Sequence, residues 1–255
     1  MKLQQLLQRR FGAKLQTKGF LAHGLALAGL AMFSTSADAA SLVIDDFTQI
    51  QGGATTGNQF IFTGAGTVTD LDTGLNSANT IGGQREIFAT WLGGATTPIA
   101  TSAIVNTDLQ RFSVSNGDGT LGEGGVHYLG LGGVSLLLGG NEYFNAYIAS
   151  ADLGVTMTIA ISDTIAAGGD IATWTSGTLN AGSNVYELLS SFTNASNVDF
   201  SQVDDIRITL SGAVAFDASS TTFEITDSPN FVPEPSSTAL LGLGGLALVL
   251  RRKRS

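Results

Sequence analysis

The fold is decided by the stretch Val155-Thr-Met-Thr-Ile-Ala-Ile161, in which large apolar side chains alternate with small or polar ones. Successive side chains of a β-strand point to opposite faces, so the four large apolar residues of this stretch would share one face. The segment Asp205–Ser211 repeats the alternation with Ile206, Ile208 and Leu210. Both stretches predict strands that are buried on one face only.

Shorter segments of the same kind occur throughout residues 40–228, separated by the Gly, Asn, Asp, Ser and Thr residues that turns favour. No stretch of ten or more residues has apolar side chains at helical spacing, so we expect little helix beyond a short turn near Tyr186–Ser191. The pattern predicts an all-β fold, an antiparallel two-sheet β-sandwich. The further predicted strands are Leu42–Phe47, Phe60–Phe62, Thr67–Leu71, Arg85–Leu92, Thr101–Val105, Leu109–Val114, Val126–Leu131, Val134–Leu138, Tyr143–Ala149, Ala172–Thr175, Asn184–Leu189, Ala213–Phe216 and Thr222–Thr226.

The first 39 residues have the organisation of a secretory signal peptide. A basic segment precedes the apolar run Phe20–Phe33, and small residues follow at Ala37 and Ala39. This order predicts export by a Sec-type machinery and cleavage by signal peptidase, so that the mature chain begins at Ala40. An uncleaved N-terminal membrane anchor is the alternative.

The C-terminal segment 229–255 has three parts in a fixed order. Val232-Pro233-Glu234-Pro235 is followed by an uncharged apolar run over Ser236–Leu250, and then by Arg251-Arg252-Lys253-Arg254. As a helix the run would span roughly 22 Å, which is short for a hydrocarbon core of about 30 Å. The basic cluster would stay on the cytoplasmic side. We expect a single transmembrane helix that holds the chain in the membrane temporarily.

This tail resembles the PEP-CTERM sorting signal of bacterial exported proteins, which an exosortase-like membrane protease processes. The resemblance implies export, transient anchoring in the inner membrane and cleavage near Pro233–Pro235. Release to the cell envelope, the cell surface or the extracellular space would follow. An ordinary C-terminal anchor is the alternative. The resemblance implies nothing about the task of residues 40–228, which we call the body.

The body is strongly acidic. It contains three arginines and no lysine against 19 acidic residues, which gives a net charge of about −16. Such a charge would repel nucleic-acid phosphates, so we exclude nucleic acid as a partner. It favours solubility and the attraction of metal cations. The chain has no cysteine, so disulfide bonds do not stabilise it.

The body does not have the residue types that most catalytic sites need. Its single histidine is His127, and without cysteine it has neither a Cys-His pair nor a usual zinc site. Carboxylate pairs for glycoside hydrolysis are available, but acidic residues are too numerous for their presence to discriminate. We therefore expect no enzyme, with a secreted glycan hydrolase as the third possibility.

Calcium is a possible cofactor. The segment Asn116–Glu123 places oxygen-bearing side chains at Asn116, Asp118, Thr120 and Glu123, as a turn around a hard cation requires. A plain hairpin turn is the alternative interpretation. Further candidate ligands, near the first strand, are Asp45 and Asp46.

The order of strands in the second half resembles jelly-roll sandwich domains of the carbohydrate-binding and galactose-binding-like kind. The resemblance implies that the opening segment Val43–Phe47 lies near the closing strand, here Phe223–Ile225. Sugar sites usually combine exposed aromatic faces with a few hydrogen-bonding side chains. The candidate aromatic contacts are Trp91, Trp174, Tyr128 and Tyr143, followed by Tyr147 and Tyr186.

Two functions stay open for the body. The leading hypothesis is a non-enzymatic structural or adhesive protein of the envelope or extracellular matrix. The alternative is a carbohydrate-binding module for exopolysaccharide. Exposed aromatic residues beside acidic side chains on one sheet face would favour the second hypothesis, and burial of all the aromatic residues would favour the first.

Overall fold

The computed structural model describes residues 40–95, 100–163 and 170–228. The predicted signal peptide and the sorting tail lie outside these ranges. Within them, short 3-10 turns occur at Gln51–Gly53, Ile81–Gly83, Leu189–Ser191 and Ala195–Asn197. The strands are β1 (Ser41–Asp45), β2 (Asn58–Thr63), β3 (Thr67–Thr73), β4 (Gln84–Gly94), β5 (Thr101–Asn106), β6 (Arg111–Asn116), β7 (Thr120–Val134), β8 (Tyr143–Ala151), β9 (Val155–Asp163), β10 (Ile171–Thr175), β11 (Asn184–Leu188), β12 (Val203–Gly212) and β13 (Asp217–Thr226).

The strands form two antiparallel sheets, which confirms the all-β, two-sheet prediction. The seven-stranded sheet has the order β11-β8-β13-β6-β5-β2, with β1 paired to β13 beside this path. The six-stranded sheet has the order β10-β9-β12-β7-β4-β3. One cluster of buried apolar side chains contains residues of both sheets and forms the core of a β-sandwich.

The two strands with the clearest alternation lie side by side in the middle of the six-stranded sheet. β9 and β12 pair with Ile208 opposite Ile159 and Leu210 opposite Met157, and all four side chains are fully buried. Burial of each such side chain stabilises the fold by about 1.5–3 kcal/mol. The alternation therefore predicted both the strands and the face that points into the core.

The two ends of the body meet in the seven-stranded sheet. β1 pairs with β13, with Leu42 opposite Ile225 and Val43 opposite Glu224. This confirms the expected pairing of the opening segment with the closing strand. The predicted short turn after β11 is also present, as the 3-10 turn Leu189–Ser191.

Two predicted strands are wrong. Val134–Leu138 is not a strand, because β7 is one long strand that ends at Val134. The residue pattern does not predict a strand over its glycine-rich first half, residues 120–125. Only glycine fits at position 125 of this strand, because a Cβ there would lie 2.2 Å from the Ile208 carbonyl oxygen and 2.4 Å from the Phe88 ring. Ala213–Phe216 is a turn in which Ala215 has a φ of 62°, and β13 begins after it.

No helix among the described residues is long and apolar enough to cross a membrane. The predicted transmembrane run Ser236–Leu250 lies outside the described residues.

Candidate functional site

The aromatic side chains singled out in the sequence have very different surroundings. Tyr128 is fully buried and its hydroxyl donates to Asp45 Oδ2 at 3.0 Å, so it is not available to a ligand on either outer face. Trp174 stacks on Phe192, with ring centroids 6.3 Å apart, and packs against the core. Trp91 is half-buried, and its Nε1 makes no hydrogen bond to a described residue. Tyr128 and Trp174 therefore serve packing.

Tyr143 and Tyr147 belong to a strand whose outer face is open. In β8 the side chains of Phe144, Ala146 and Ile148 point into the core, so those between them point away from it. Asn145 is the polar residue between the two tyrosines. The alternation of β8 thus places two tyrosines and an amide on the outer face of the seven-stranded sheet.

A groove of about 330 Å³ crosses this outer face over β11, β8 and β13. We call it the tyrosine groove. The register aligns one residue of each strand across it, because Asn145 is opposite both Tyr186 and Glu224. The residues that line the groove are Asn145, Ala146, Tyr147, Asn184, Tyr186, Thr221, Thr222 and Glu224.

The floor of the tyrosine groove is a hydrogen-bonded pair. Asn145 Nδ2 donates to Glu224 Oε1 at 2.6 Å, and both residues are only 8% exposed. Glu224 Oε2 has no hydrogen-bond partner among the described residues. Burial raises the pKa of Glu224, and the hydrogen bond from Asn145 opposes this by lowering it. The floor therefore offers a carboxylate oxygen that a hydroxyl could approach.

The walls of the tyrosine groove are aromatic and hydroxylated. Tyr147 is 41% exposed and Tyr186 is half-buried. On the other side, β13 has a register shift between Ser220 and Phe223, so Thr221 and Thr222 lie against the single residue Tyr147. Bulges of this kind re-aim side chains beside binding sites. Neither the bulge nor the three-strand alignment has a signal in the sequence.

A second groove, of about 340 Å³, lies on the same outer face over β6, β13 and β8. We call it the serine groove. Phe112 and Val114 of β6 point into the core, which leaves Arg111, Ser113 and Ser115 on the outer face. The other lining residues that bear polar side chains are Ser150, Asp217 and Ser219.

Two exposed phenylalanines occupy the edge of the same sheet. Phe60 and Phe62 of β2 are 45% and 52% exposed, and their ring centroids are 5.8 Å apart. The alternation of β2 predicts that these two side chains share a face. Apolar side chains are expected to face the core, but the structure places these two on the outside. The opposite face points inward, with Ile61 in the core and Gln59 accepting hydrogen bonds from the buried Arg85 and donating to the Asp70 carbonyl.

The candidate calcium ligands are dispersed. Asp45 is fully buried and its Oδ2 lies 2.8 Å from Arg85 Nη1, while Asp46 accepts hydrogen bonds from Thr48 and Asn79. No group of three or more His, Asp or Glu side chains that could hold a metal occurs among the described residues.

The segment Asn116–Glu123 passes from β6 in one sheet to β7 in the other. Asn116 is buried with its amide donating to the Gly122 carbonyl, and the buried Thr120 hydroxyl donates to Ala95. Asp118 is exposed in the turn, and Glu123 is half-buried on β7. Calcium binding here stays a prediction.

His127 lies on the outer face of the six-stranded sheet between two carboxylates. Its Nε2 is 2.7 Å from Asp205 Oδ2, and its Nδ1 is 3.5 Å from Glu86 Oε1. The hydrogen bond to Asp205 is the main cause that raises the pKa of His127, and burial opposes it. Beside this cluster the Arg207 guanidinium lies 3.9 Å from the centre of the Phe88 ring.

The tail of the chain has a recognisable family signature. Residues 231–254 match the family model of the PEP-CTERM protein-sorting motif. The matched range includes the predicted motif Val232–Pro235 and the basic cluster Arg251–Arg254, which confirms the resemblance. A PEP-CTERM tail indicates an exported protein. It leaves the task of the body open.

The chain aligns, at low sequence identity, with solved structures that include carbohydrate-binding modules. A family 11 carbohydrate-binding module from Clostridium thermocellum, in complex with a β-1,3-1,4-mixed-linked tetrasaccharide, is 13% identical, with a TM-score of 0.33 over 68% of this chain and 96% of that one. A family 30 carbohydrate-binding module is 11% identical, with a TM-score of 0.37 over 77% and 92%. The agarase AgWH50C is 16% identical, with a TM-score of 0.36 over 57% and 25%. No curated protein matches the chain significantly.

Proposed function

We propose that this is an exported adhesive protein whose body binds a polysaccharide without cleaving it, and that the tyrosine groove is the sugar site. The observation that carries the proposal is the combination of Tyr147 and Tyr186 with the Asn145–Glu224 pair in one open groove. The ligand we expect at this site is exopolysaccharide of the cell envelope or matrix.

The groove has the two kinds of contact that a sugar ring needs. Sugar rings have apolar faces of C–H groups, which pack on aromatic side chains such as Tyr147 and Tyr186. Their edges carry hydroxyls, which need fixed hydrogen-bonding partners. Asn145, Glu224 and the hydroxyls of Thr221 and Thr222 are such partners, and the hydrogen bond between Asn145 and Glu224 holds two of them in position.

The lining of the groove supports binding without hydrolysis. Glycoside hydrolysis uses two carboxyl groups, about 5–9.5 Å apart, on either side of the scissile bond. Glu224 is the single carboxylate among the described residues that line the tyrosine groove. A sugar bound there would contact one acidic group, which suits recognition.

The sorting tail supports a location where polysaccharide is available. We expect Sec-type export, cleavage by signal peptidase before Ala40, a transient stay in the inner membrane, and processing by an exosortase-like protease near Pro233–Pro235. The intact mass of the released protein tests this route. Released protein that still contains Arg251–Arg254 would contradict it.

Binding is tested with the full chain purified in detergent on a glycan array, with and without calcium. Tyr147→Ala and the isosteric Glu224→Gln should each weaken binding of the best ligand at least roughly tenfold, because each removes one contact of the groove. Leu153→Ala, at an exposed apolar residue away from the groove, is the matched control. Glycan binding that survives both groove variants, or no glycan binding at all, would overturn the proposal.

Assembly between copies of the chain is the second candidate function. It is favoured by Phe60 and Phe62, which expose an aromatic pair on the edge strand β2, where backbone groups are available for pairing. If copies associate there, changing both phenylalanines to serine lowers the sedimentation coefficient at high concentration. Leu71→Ser, at an exposed residue of the other sheet, is the control.

A further inference from the structure

The three arginines of the body have different surroundings. Arg85 is fully buried and paired with Asp45 and Asp72, and Arg207 lies over the Phe88 ring. Arg111 is half-buried and forms no ion pair with a described residue. Its Nε is buried and makes no hydrogen bond within the described part of the chain. Its two Nη groups make no hydrogen bond with a described residue either, and they are not buried, so they are the donors that a ligand can reach.

Arg111 lines the serine groove together with hydroxyl groups. Across the sheet Ser113 is opposite Ser219, and the Ser219 hydroxyl is hydrogen-bonded to that of Ser150 at 2.6 Å. Ser115 is opposite Asp217, which also lines the groove but is not within ion-pair distance of Arg111. The groove therefore holds one guanidinium with free donor capacity beside several hydroxyl donors.

We propose that the serine groove is an anion subsite, in which Arg111 binds the carboxylate or sulfate group of an acidic unit of the polysaccharide. This inference rests on the proposed function and names the class of ligand as an acidic polysaccharide. The planar guanidinium presents paired donors that match the two oxygens of a carboxylate or sulfate. The serine hydroxyls supply the remaining donors that such an oxyanion accepts.

The position of the serine groove suits a chain that also occupies the tyrosine groove. Both grooves lie on the same outer face and share β8 and β13. Ser150 follows Tyr147 by three residues on β8, a distance of roughly 10 Å along the strand. One polysaccharide chain can therefore pass over both grooves without turning a corner of the sandwich.

The charge of the body makes the subsite selective. With a net charge of about −16, most of the surface repels an acidic polymer, and so does Asp217 inside the groove. At physiological salt, repulsion is screened beyond about 8 Å, so close contacts decide binding. An acidic unit is thus accepted where it meets Arg111 and is disfavoured elsewhere.

The first test observes the arginine side chains directly. In the ¹⁵N–¹H spectrum of the full chain in detergent, galacturonate should shift the Arg111 Nε–H resonance, and galactose, which has no carboxylate, should not. Sodium sulfate at matched ionic strength tells whether a free oxyanion is sufficient. Arg85 and Arg207 are internal controls. If galacturonate leaves the Arg111 resonance in place, or moves all three alike, the proposal is overturned.

The second test uses matched polymers, namely a largely neutral galactan that contains sparse galacturonate units and its carboxyl-reduced form. The wild type should bind the acidic polymer at least tenfold more tightly, Arg111→Gln should abolish this preference, and Asp217→Asn should increase it severalfold. Arg111→Lys, which keeps the charge but loses the planar fork, should retain part of the preference. Unchanged melting temperatures of the variants show that the fold is intact.

The two proposals fail in different ways. If Arg111→Gln weakens binding of the acidic and the reduced polymer equally, or weakens neither, the proposed anion subsite is wrong. The proposal for the tyrosine groove is then unaffected. If Tyr147→Ala and Glu224→Gln both leave binding of the two polymers unchanged, the proposed function itself is wrong.

Discussion

The two outer faces of the sandwich use polar and aromatic side chains in opposite ways. On the six-stranded sheet, the Phe88 ring lies over Gly125, Arg207 covers Phe88, and His127 is held between Glu86 and Asp205. Phe88 is only 1% exposed although it lies on the outer face. On this face the Phe88 ring is covered by Arg207, and His127 is held by two carboxylates.

The outer face of the seven-stranded sheet leaves such groups available. Tyr147 is exposed, Glu224 Oε2 accepts no hydrogen bond from a described residue, and Arg111 forms no ion pair with one. Both faces share one core and the same strand geometry, so the fold does not explain the difference. Groups that are left unpaired at a cost to stability are the ones to suspect of binding a ligand.

The largest expected effect is on stability, at the outer face of the six-stranded sheet. Gly125→Ala should lower the free energy of unfolding by about 2–4 kcal/mol, because its Cβ would contact the Ile208 carbonyl and displace the Phe88 ring. Urea denaturation of the full chain in detergent measures this. Gly177→Ala is the matched control, since a Cβ there has no atom within 4 Å, and it should change stability by less than about 0.5 kcal/mol. Equal effects of both changes would mean that the Phe88–Gly125 contact is not a constraint.

The next effect compares two arginines on opposite faces. Arg207→Ala should lower the free energy of unfolding by about 1–2 kcal/mol, because the change uncovers the Phe88 ring and removes a cation–π contact. Arg111→Ala should cost less than about 0.5 kcal/mol, because Arg111 has no carboxylate partner among the described residues. The same denaturation measurement tests both, and a larger loss at Arg111 would contradict the contrast between the faces.

A pH effect is expected at His127. Because its pKa is raised in the folded state, mainly by Asp205, its contribution is fully present below the ordinary value of about 6.5 and is lost as pH rises through the folded pKa. Glu86 supports the charged imidazolium and Arg207 opposes it. The contribution should be below about 1 kcal/mol, because the side chain is partly exposed.

The difference in unfolding free energy between the wild type and His127→Asn, followed from pH 5 to pH 9, isolates this contribution. It should favour the wild type at the acid end and vanish at the alkaline end. A difference that is constant with pH would mean that His127 contributes by packing alone.

The smallest stability effect concerns the floor of the tyrosine groove. Burial raises the pKa of Glu224, so the contribution of this carboxyl is present below its ordinary pKa and is lost as pH rises through the folded value. Glu224→Gln keeps the shape and should therefore stabilise the protein at pH 7, by about 0.5 kcal/mol, while weakening sugar binding. Thermal melts at pH 4 and pH 7 measure the gain, which should vanish at pH 4. A loss of stability at pH 7 would indicate that the carboxylate serves the fold.

The interior shows why the sequence predicted some elements and missed others. β9 and β12 were predicted because their apolar residues recur at every second position, and a single strand contains that information. In β2 the alternation was also visible, but the inward face was not, because that face contains the polar Gln59, which pairs with Arg85 of another strand. The glycine-rich first half of β7 was not predicted as a strand, because the close approach of Phe88 and Ile208 that requires Gly125 comes from other strands.

The sequence by itself determined the sheet class and the PEP-CTERM tail, because the first depends on local periodicity and the second on a contiguous motif. The pairing of the first and last strands of the body was expected from the resemblance to jelly-roll domains. Only the tertiary structure decided which tyrosines are exposed and which acidic residue lies beside them. Tyr147, Tyr186 and Glu224 are far apart in the chain, and the register of three strands brings them into one groove. Likewise, the sequence shows that the body has three arginines. Only the tertiary structure shows that Arg111 forms no ion pair with a described residue, because ion pairing depends on distances between strands.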